Sequence, residues 1–278
     1  MDTVRQEGDT ESMTYTEGAL EPFRRYPVRI GYGVNILCMR GRADVSTGIE
    51  RYRMEPGAQL LLFPGAILHV TEAEEEFGVR MFAFPAALFH EAAMPIDAGH
   101  IRYLRDEPFY LHPAGSGSGR SAVLWMDMAR DVCRGGAYGE IARRNFMQGF
   151  LVSMCREIPV KTASAAPSRS EAIFHRFLSL VRSRCAERHD AAFYAGELCI
   201  SLRYLRAVTA ACAPGKTPKQ LIDEQLVAEI QALLYASDLS VTQIADRLNF
   251  PDQSCLSRFF RHKTGFSPYR YRVHCRRH

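Results

Sequence analysis

Ser240–Pro268 reads SVTQIADRLNFPDQSCLSRFFRHKTGFSP. In its first part Val241, Ile244, Ala245 and Leu248 recur at the three- and four-residue spacing of one helix face. Ala245 is small where a crossing helix has to come close. Asn249-Phe250-Pro251 ends that helix, because the ring of Pro251 disfavours helical backbone in the residue before it. Asp252 is a good N-cap for a second helix, and Leu256, Phe259 and Phe260 turn that helix toward a core. Gln253, Ser254, Ser257, Arg258 and Arg261 are left on its outer face. Donors, acceptors and cations without a large apolar group suit a helix that lies in the major groove of duplex DNA.

The spaced series I-A-x-x-L-x-F-x-D-x-S-x-L-S-R-x-F-[RK]-x-x-x-G-x-[ST]-P, from Ile244 to Pro268, resembles the second helix-turn-helix of the AraC/XylS family of bacterial transcription regulators. About a dozen positions agree at fixed spacing, which a lone helix-turn-helix pattern would not supply. The resemblance extends over roughly residues 170–275 and is thin over 20–160.

Charge is divided in the same way. Residues 169–278 hold 17 Lys and Arg against 10 Asp and Glu, and residues 1–168 hold 18 against 21. A basic C-terminal part on a mildly acidic N-terminal one points to a polyanion partner for the C-terminal part alone. At 278 residues the chain is long for one core and sufficient for two domains. The N-terminus is polar and acidic, without the apolar run of a signal peptide, and no stretch approaches a membrane helix. Eight scattered cysteines without a C-x-x-C pair fit reduced thiols in the cytoplasm.

Residues 1–22 read as a flexible arm. From Phe23 to Phe84, short runs rich in Val, Ile, Leu, Tyr and Phe alternate with Gly and Pro, the signature of a small barrel or sandwich. The order Met54, Pro56-Gly57, Pro64-Gly65, His69 resembles the cupin-like effector domain at the N-terminus of AraC-type regulators. GSGSG at 115–119 reads as a loop. Two helices follow. One lies near 121–134, with Val123, Leu124, Met128 and Val132 apolar. The other lies near 140–157, with Ile141, Phe146, Phe150, Leu151 and Met154 apolar. The family resemblance implies that this pair forms a dimer interface; covering the barrel is the equal alternative. The expected organisation is an arm (1–22), a cupin-like effector and dimerisation domain (23–160), a linker (161–170) and an all-α DNA-binding domain (171–278). The fold class is α+β.

The C-terminal part carries a degenerate internal repeat. Ala195, Leu198, Ser201 and Leu205 match Ala245, Leu248, Asp252 and Leu256. Between the units Thr217 caps, and Pro218 opens, a helix running to about Tyr235 with Leu221, Ile222, Leu226, Ile230 and Leu233 apolar. Such a rod can hold two reading heads on one face of DNA. The resemblance places Gln253, Ser254, Cys255 and Arg258 at base edges, where Gln can bond adenine bidentately and Arg guanine. Ser257, Arg261 and Lys263 are placed for phosphates. In the first unit Arg203, Tyr204 and Arg206 face outward, but Ala207 replaces a usual basic residue and Thr209 a core aromatic. Arg203 and Arg206 are therefore expected to hold phosphates.

The expected function is sequence-specific regulation of transcription on double-stranded promoter DNA. The N-terminal domain would answer a small-molecule effector, and RNA polymerase and a second copy of the chain would be partners. No cofactor, metal or catalytic residue is assigned. Two alternatives remain open. A metal-dependent cupin enzyme fused to the DNA-binding module would need ligands from His69, His90, His100 and His112, which include no H-x-H pair. A ligand-independent regulator would need none. Cys255, near a helix N-terminus and beside Arg258, also admits a redox role, with an inert thiol as the ordinary reading.

Overall fold

The computed structural model describes residues 12–163 and 168–276. The chain divides into two compact units. One holds the segments up to Arg25, Ile30–Ser46, and Arg51 to the end of the fourth helix. The other holds Tyr26–Arg29, Thr47–Glu50 and the chain from the fifth helix onward.

The first unit is built on antiparallel sheet. A five-stranded sheet runs in the order β1 (Thr14–Gly18), β8 (Gly78–Phe84), β3 (Gly33–Arg40), β6 (Ala58–Leu62), β9 (Phe109–Leu111). A second sheet of this unit has the order β7 (Ile67–Ala73), β4 (Ala43–Ser46), β5 (Arg51–Met54), and the two-residue strand β2 (Val28–Arg29) belongs to the other unit. These are two sheets and not one closed barrel. Of the expected arm, residues 1–11 lie outside the described ones, and Thr14–Gly18 form the edge strand β1, whose Thr-Tyr-Thr pattern suits a pleated surface and pairs Tyr15 with Phe82. Glu74–Glu76 form the turn between β7 and β8, as their charge suggests.

Helices α1 (Ala86–Ala93), α2 (Ala98–Asp106), α3 (Gly117–Cys133) and α4 (Gly139–Ala163) complete this unit. Leu37, Leu61, Phe82 and Phe84 of the larger sheet form one core with Met126 of α3 and Phe146, Phe150 and Met154 of α4. The helix pair thus covers the sheet. The expected apolar face of α3 is corrected by this packing. Leu124 and Met128 are exposed, while Ala122, Met126 and Ala129 are buried, because two alanines let the helix lie close to the strands. Ile141 of α4 is likewise exposed. Nor is 115–119 a free loop. Ser116 caps α3 by accepting from Gly119 N at 3.0 Å, so the helix begins inside the glycine run. Under α4 a buried polar chain links Asn35, Gln59 and His112. Gln59 Nε2 donates to Asn35 Oδ1 at 2.8 Å, and His112 Nε2 lies 2.7 Å from Gln59 Oε1.

The second unit is helical: α5 (Arg169–Arg184), α6 (Ala191–Glu197), α7 (Leu202–Cys212), α8 (Pro218–Ala236), α9 (Val241–Arg247), α10 (Gln253–Thr264) and α11 (Pro268–Arg276). Ends of the expected linker are helical, since α4 runs to Ala163 and α5 starts at Arg169 behind a Ser168–Glu171 capping box. Helix α8 opens at a Thr217–Gln220 capping box with Pro218 in its first turn. Its N-terminal half gives Leu221 and Ile222 to a core with Phe177, Val181, Tyr194 and Leu205. Its C-terminal half gives Leu226, Ile230, Leu233 and Leu234 to a core with Ile244, Ala245, Leu256 and Phe260. At 1.5 Å per residue this rod is about 28 Å long. The buried Glu229 in its middle is paired with Arg29 and accepts from Gln225 Nε2 at 3.1 Å.

Candidate nucleic-acid interface

Helices α9 and α10 form the second helix-turn-helix. Ser240 and Gln243 make a reciprocal capping box on α9. The turn places Asn249 at φ 53°, in the left-handed region where Asn is among the better-tolerated residues. Its Nδ2 donates to Glu187 O at 2.9 Å. Asp252 caps α10 by accepting from Cys255 N at 2.7 Å, a bond that holds its carboxyl below the usual range. Gly265, at φ 78°, closes the C-terminus. Between these caps Leu256 and Phe260 are fully buried, and Phe259 is half-buried against Phe250, with ring centroids 5.5 Å apart.

The outer face of α10 carries the expected polar groups. Gln253, Ser254, Arg258 and Arg261 are exposed, and Cys255 and Ser257 are half-buried. Two of these side chains are held in place. Thr242 Oγ1 of α9 donates to Gln253 Oε1 at 2.8 Å, and Arg258 Nη2 donates to Cys255 Sγ at 3.4 Å. Lys263, expected to meet a phosphate, has a partner within its own unit. Its Nζ lies 2.8 Å from Asp223 Oδ2, while Lys219 Nζ lies 2.6 Å from Oδ1. The Asp223 carboxylate is only 8% exposed, so Lys263 ties α10 to α8 as the counter-charge of a buried acid.

The first helix-turn-helix, α6 and α7, repeats the plan with different contents. Asp190 caps α6, and Ser201 caps α7 by accepting from Tyr204 N at 3.1 Å. The turn position fifty residues before Asn249 is Cys199, at φ 54°. Sequence reasoning missed this strained residue, because Cys carries no turn signal. Thr209, in the place of Phe260, is fully buried and donates to Leu205 O at 2.9 Å. Arg203, Tyr204 and Arg206 are exposed. Among the described residues none of these three side chains has a hydrogen-bond or ion-pair partner.

In the first unit a groove of about 760 Å³ is lined by Met13, Ala86, Leu88, Ile141, Arg143 and Arg144 among others. Arg144 is paired with Glu91 at 2.6 Å. Among the described residues no three His, Cys, Asp or Glu side chains come together to hold a metal ion. Nor is any described helix long and apolar enough to cross a membrane.

Residues 194–274 match a family model described as a helix-turn-helix domain. No curated protein matches the chain. Among solved structures the chain is similar to ToxT of Vibrio cholerae bound to an unsaturated fatty acid. The two are 14% identical over 95% of this chain and 96% of that one, with a TM-score of 0.46. It is also similar to the DNA-binding domain of AdpA, a global transcriptional factor, in complex with a target DNA. That match is 27% identical over 40% of this chain and 96% of that one, with a TM-score of 0.34. The AraC-like transcriptional activator CuxR is 13% identical over 78% and 73%, with a TM-score of 0.32. With two N-capped helices, α7 and α10, packed on one connecting helix, the C-terminal part of this chain, residues 194–274, is a helix-turn-helix domain.

Proposed function

We propose that the chain is a sequence-specific DNA-binding regulator of transcription, not an enzyme, and that its first unit takes up a small-molecule effector. One observation carries the reading. Two N-capped helices with polar and cationic outer faces, α7 and α10, share cores with opposite halves of one rod, α8. A rod of about 28 Å suits readers placed one helical turn of DNA apart. A single chain would then read an asymmetric site.

Gln253, Ser254, Cys255 and Arg258 meet base edges in this reading, and Ser257 and Arg261 meet phosphates. Arg203, Tyr204 and Arg206 act mainly as a phosphate clamp. The effector reading is supported by a separate β unit with its own core and by a groove in the size range of small-molecule sites. Promoter DNA, RNA polymerase and a second copy of the chain are the partners expected, in the cytoplasm.

Genome-wide mapping of sites bound by the full chain, followed by binding to the recovered sequences at several salt concentrations, tests the reading. Enrichment of an asymmetric motif with steep salt dependence is expected. No affinity for any duplex even at low salt would overturn it.

A further inference from the structure

Thr242 and Gln253 stand on different helices of the second helix-turn-helix, and both are exposed. Thr242 is in the first turn of α9, and Gln253 is the first residue of α10. The 2.8 Å bond from Thr242 Oγ1 to Gln253 Oε1 crosses the turn between them. It turns the amide carbonyl of Gln253 back toward α9 and leaves the Nε2 group as its free end.

That orientation has a chemical consequence. A bidentate contact to adenine needs both ends of the amide, because Oε1 must accept from N6 while Nε2 donates to N7. With one lone pair of the carbonyl engaged by Thr242, the end of the Gln253 amide left wholly free is Nε2, with two N–H donors. The major-groove edge that answers two donors is guanine, whose O6 and N7 both accept. We infer that Thr242 is a specificity-determining positioning residue, which fixes the Gln253 amide as a donor and sets its preference to guanine over adenine. The inference rests on Gln253 being a base reader, as proposed above.

The first helix-turn-helix, α6 and α7, shows what the arrangement lacks when its parts are changed. The positions that correspond to Thr242 and Gln253 are Ala192 and Leu202. Neither side chain can form the bond, and Leu202 has no polar end to aim.

The test is selection of binding sites from randomised duplex DNA by the full chain and by three variants: Gln253→Ala, Thr242→Val and Thr242→Ser. Val keeps the branched shape and removes the hydroxyl, and Ser keeps the hydroxyl. Unchanged melting temperatures would establish that all three exposed-site variants fold. The full chain and Thr242→Ser are expected to prefer guanine over adenine roughly tenfold at one base pair. At that same pair Thr242→Val should accept adenine about equally, and Gln253→Ala should accept any base. If Gln253→Ala loses the preference while Thr242→Val retains it, Thr242 has no positioning role and Gln253 remains a reader. If Gln253→Ala leaves every position unchanged, both the inference and the reader assignment fall.

Discussion

The two helix-turn-helix units share a backbone plan and differ in how well it is filled. In the second, Phe260 closes the core, Asn249 takes the left-handed turn, and Thr242 and Cys255 hold two outward side chains in place. In the first, Thr209 fills the core position and Cys199 takes the turn. Among the described residues, none holds the side chains of Arg203, Tyr204 and Arg206 by a hydrogen bond or ion pair. A side chain ordered before binding loses less entropy when it meets a base, and each rotamer-rich chain fixed on binding costs about 0.5–1.5 kcal/mol. Discrimination should therefore concentrate in the second unit, and sequence-independent attraction in the first.

The largest contrast lies in the cores. Phe260→Ala should cost about 3–5 kcal/mol of stability, by burial lost and cavity opened. Thr209→Ala should cost only about 1–2 kcal/mol, mostly the bond to Leu205 O. Urea unfolding followed by far-ultraviolet circular dichroism measures both, and equal losses would erase the difference in packing.

Binding comes next. Arg258→Ala should cost about 1–3 kcal/mol on the specific site and relax one base pair. Arg203→Ala should weaken all sequences alike and lower the salt slope by about one. Base-selective loss at Arg203 would reverse the assignment of the two readers.

Lys263 separates a structural cation from a DNA contact. With Lys219 still beside Asp223, Lys263→Ala should cost about 1–2 kcal/mol of stability, since Lys263 is itself partly exposed. The salt dependence of binding should stay as it is. A flattened slope with full stability would return Lys263 to the phosphates.

The smallest effect sharpens the comparison at the turns. Cys199→Gly relieves a left-handed residue with a side chain, and should raise stability by about 0.5–1 kcal/mol. Asn249→Ala should lower it by about 1 kcal/mol, through strain and the lost bond to Glu187 O. Thermal melting of the two variants should move in opposite directions.

Local chemistry made much of this legible beforehand. The caps at Thr217, Ser201 and Asp252, the proline at 218 and the apolar spacing on α8 are written within one or two turns of chain, and the helices stand where those signals put them. What escaped is settled over distance. Lys263 looks like any basic surface residue until Asp223 of another helix lies beside it. Thr242 and Gln253 are eleven residues apart and meet only because the turn folds one helix onto the next. The inner face of α3 was misread because Leu124 and Met128 are more apolar than Ala122 and Ala129, yet close approach to the sheet selects the small residues. Tyr26–Arg29 and Thr47–Glu50 carry no signal that assigns them to the helical unit, where Arg29 pairs with Glu229.

The central claim is that the second unit carries the sequence information. Randomising each half-site separately, with the other held constant, and selecting for binding by the full chain measures the information in each. The half facing Gln253 and Arg258 should hold most of it, while the half facing Arg203 and Arg206 tolerates most sequences. Equal information in the two halves, or more in the half facing Arg203, would contradict the account.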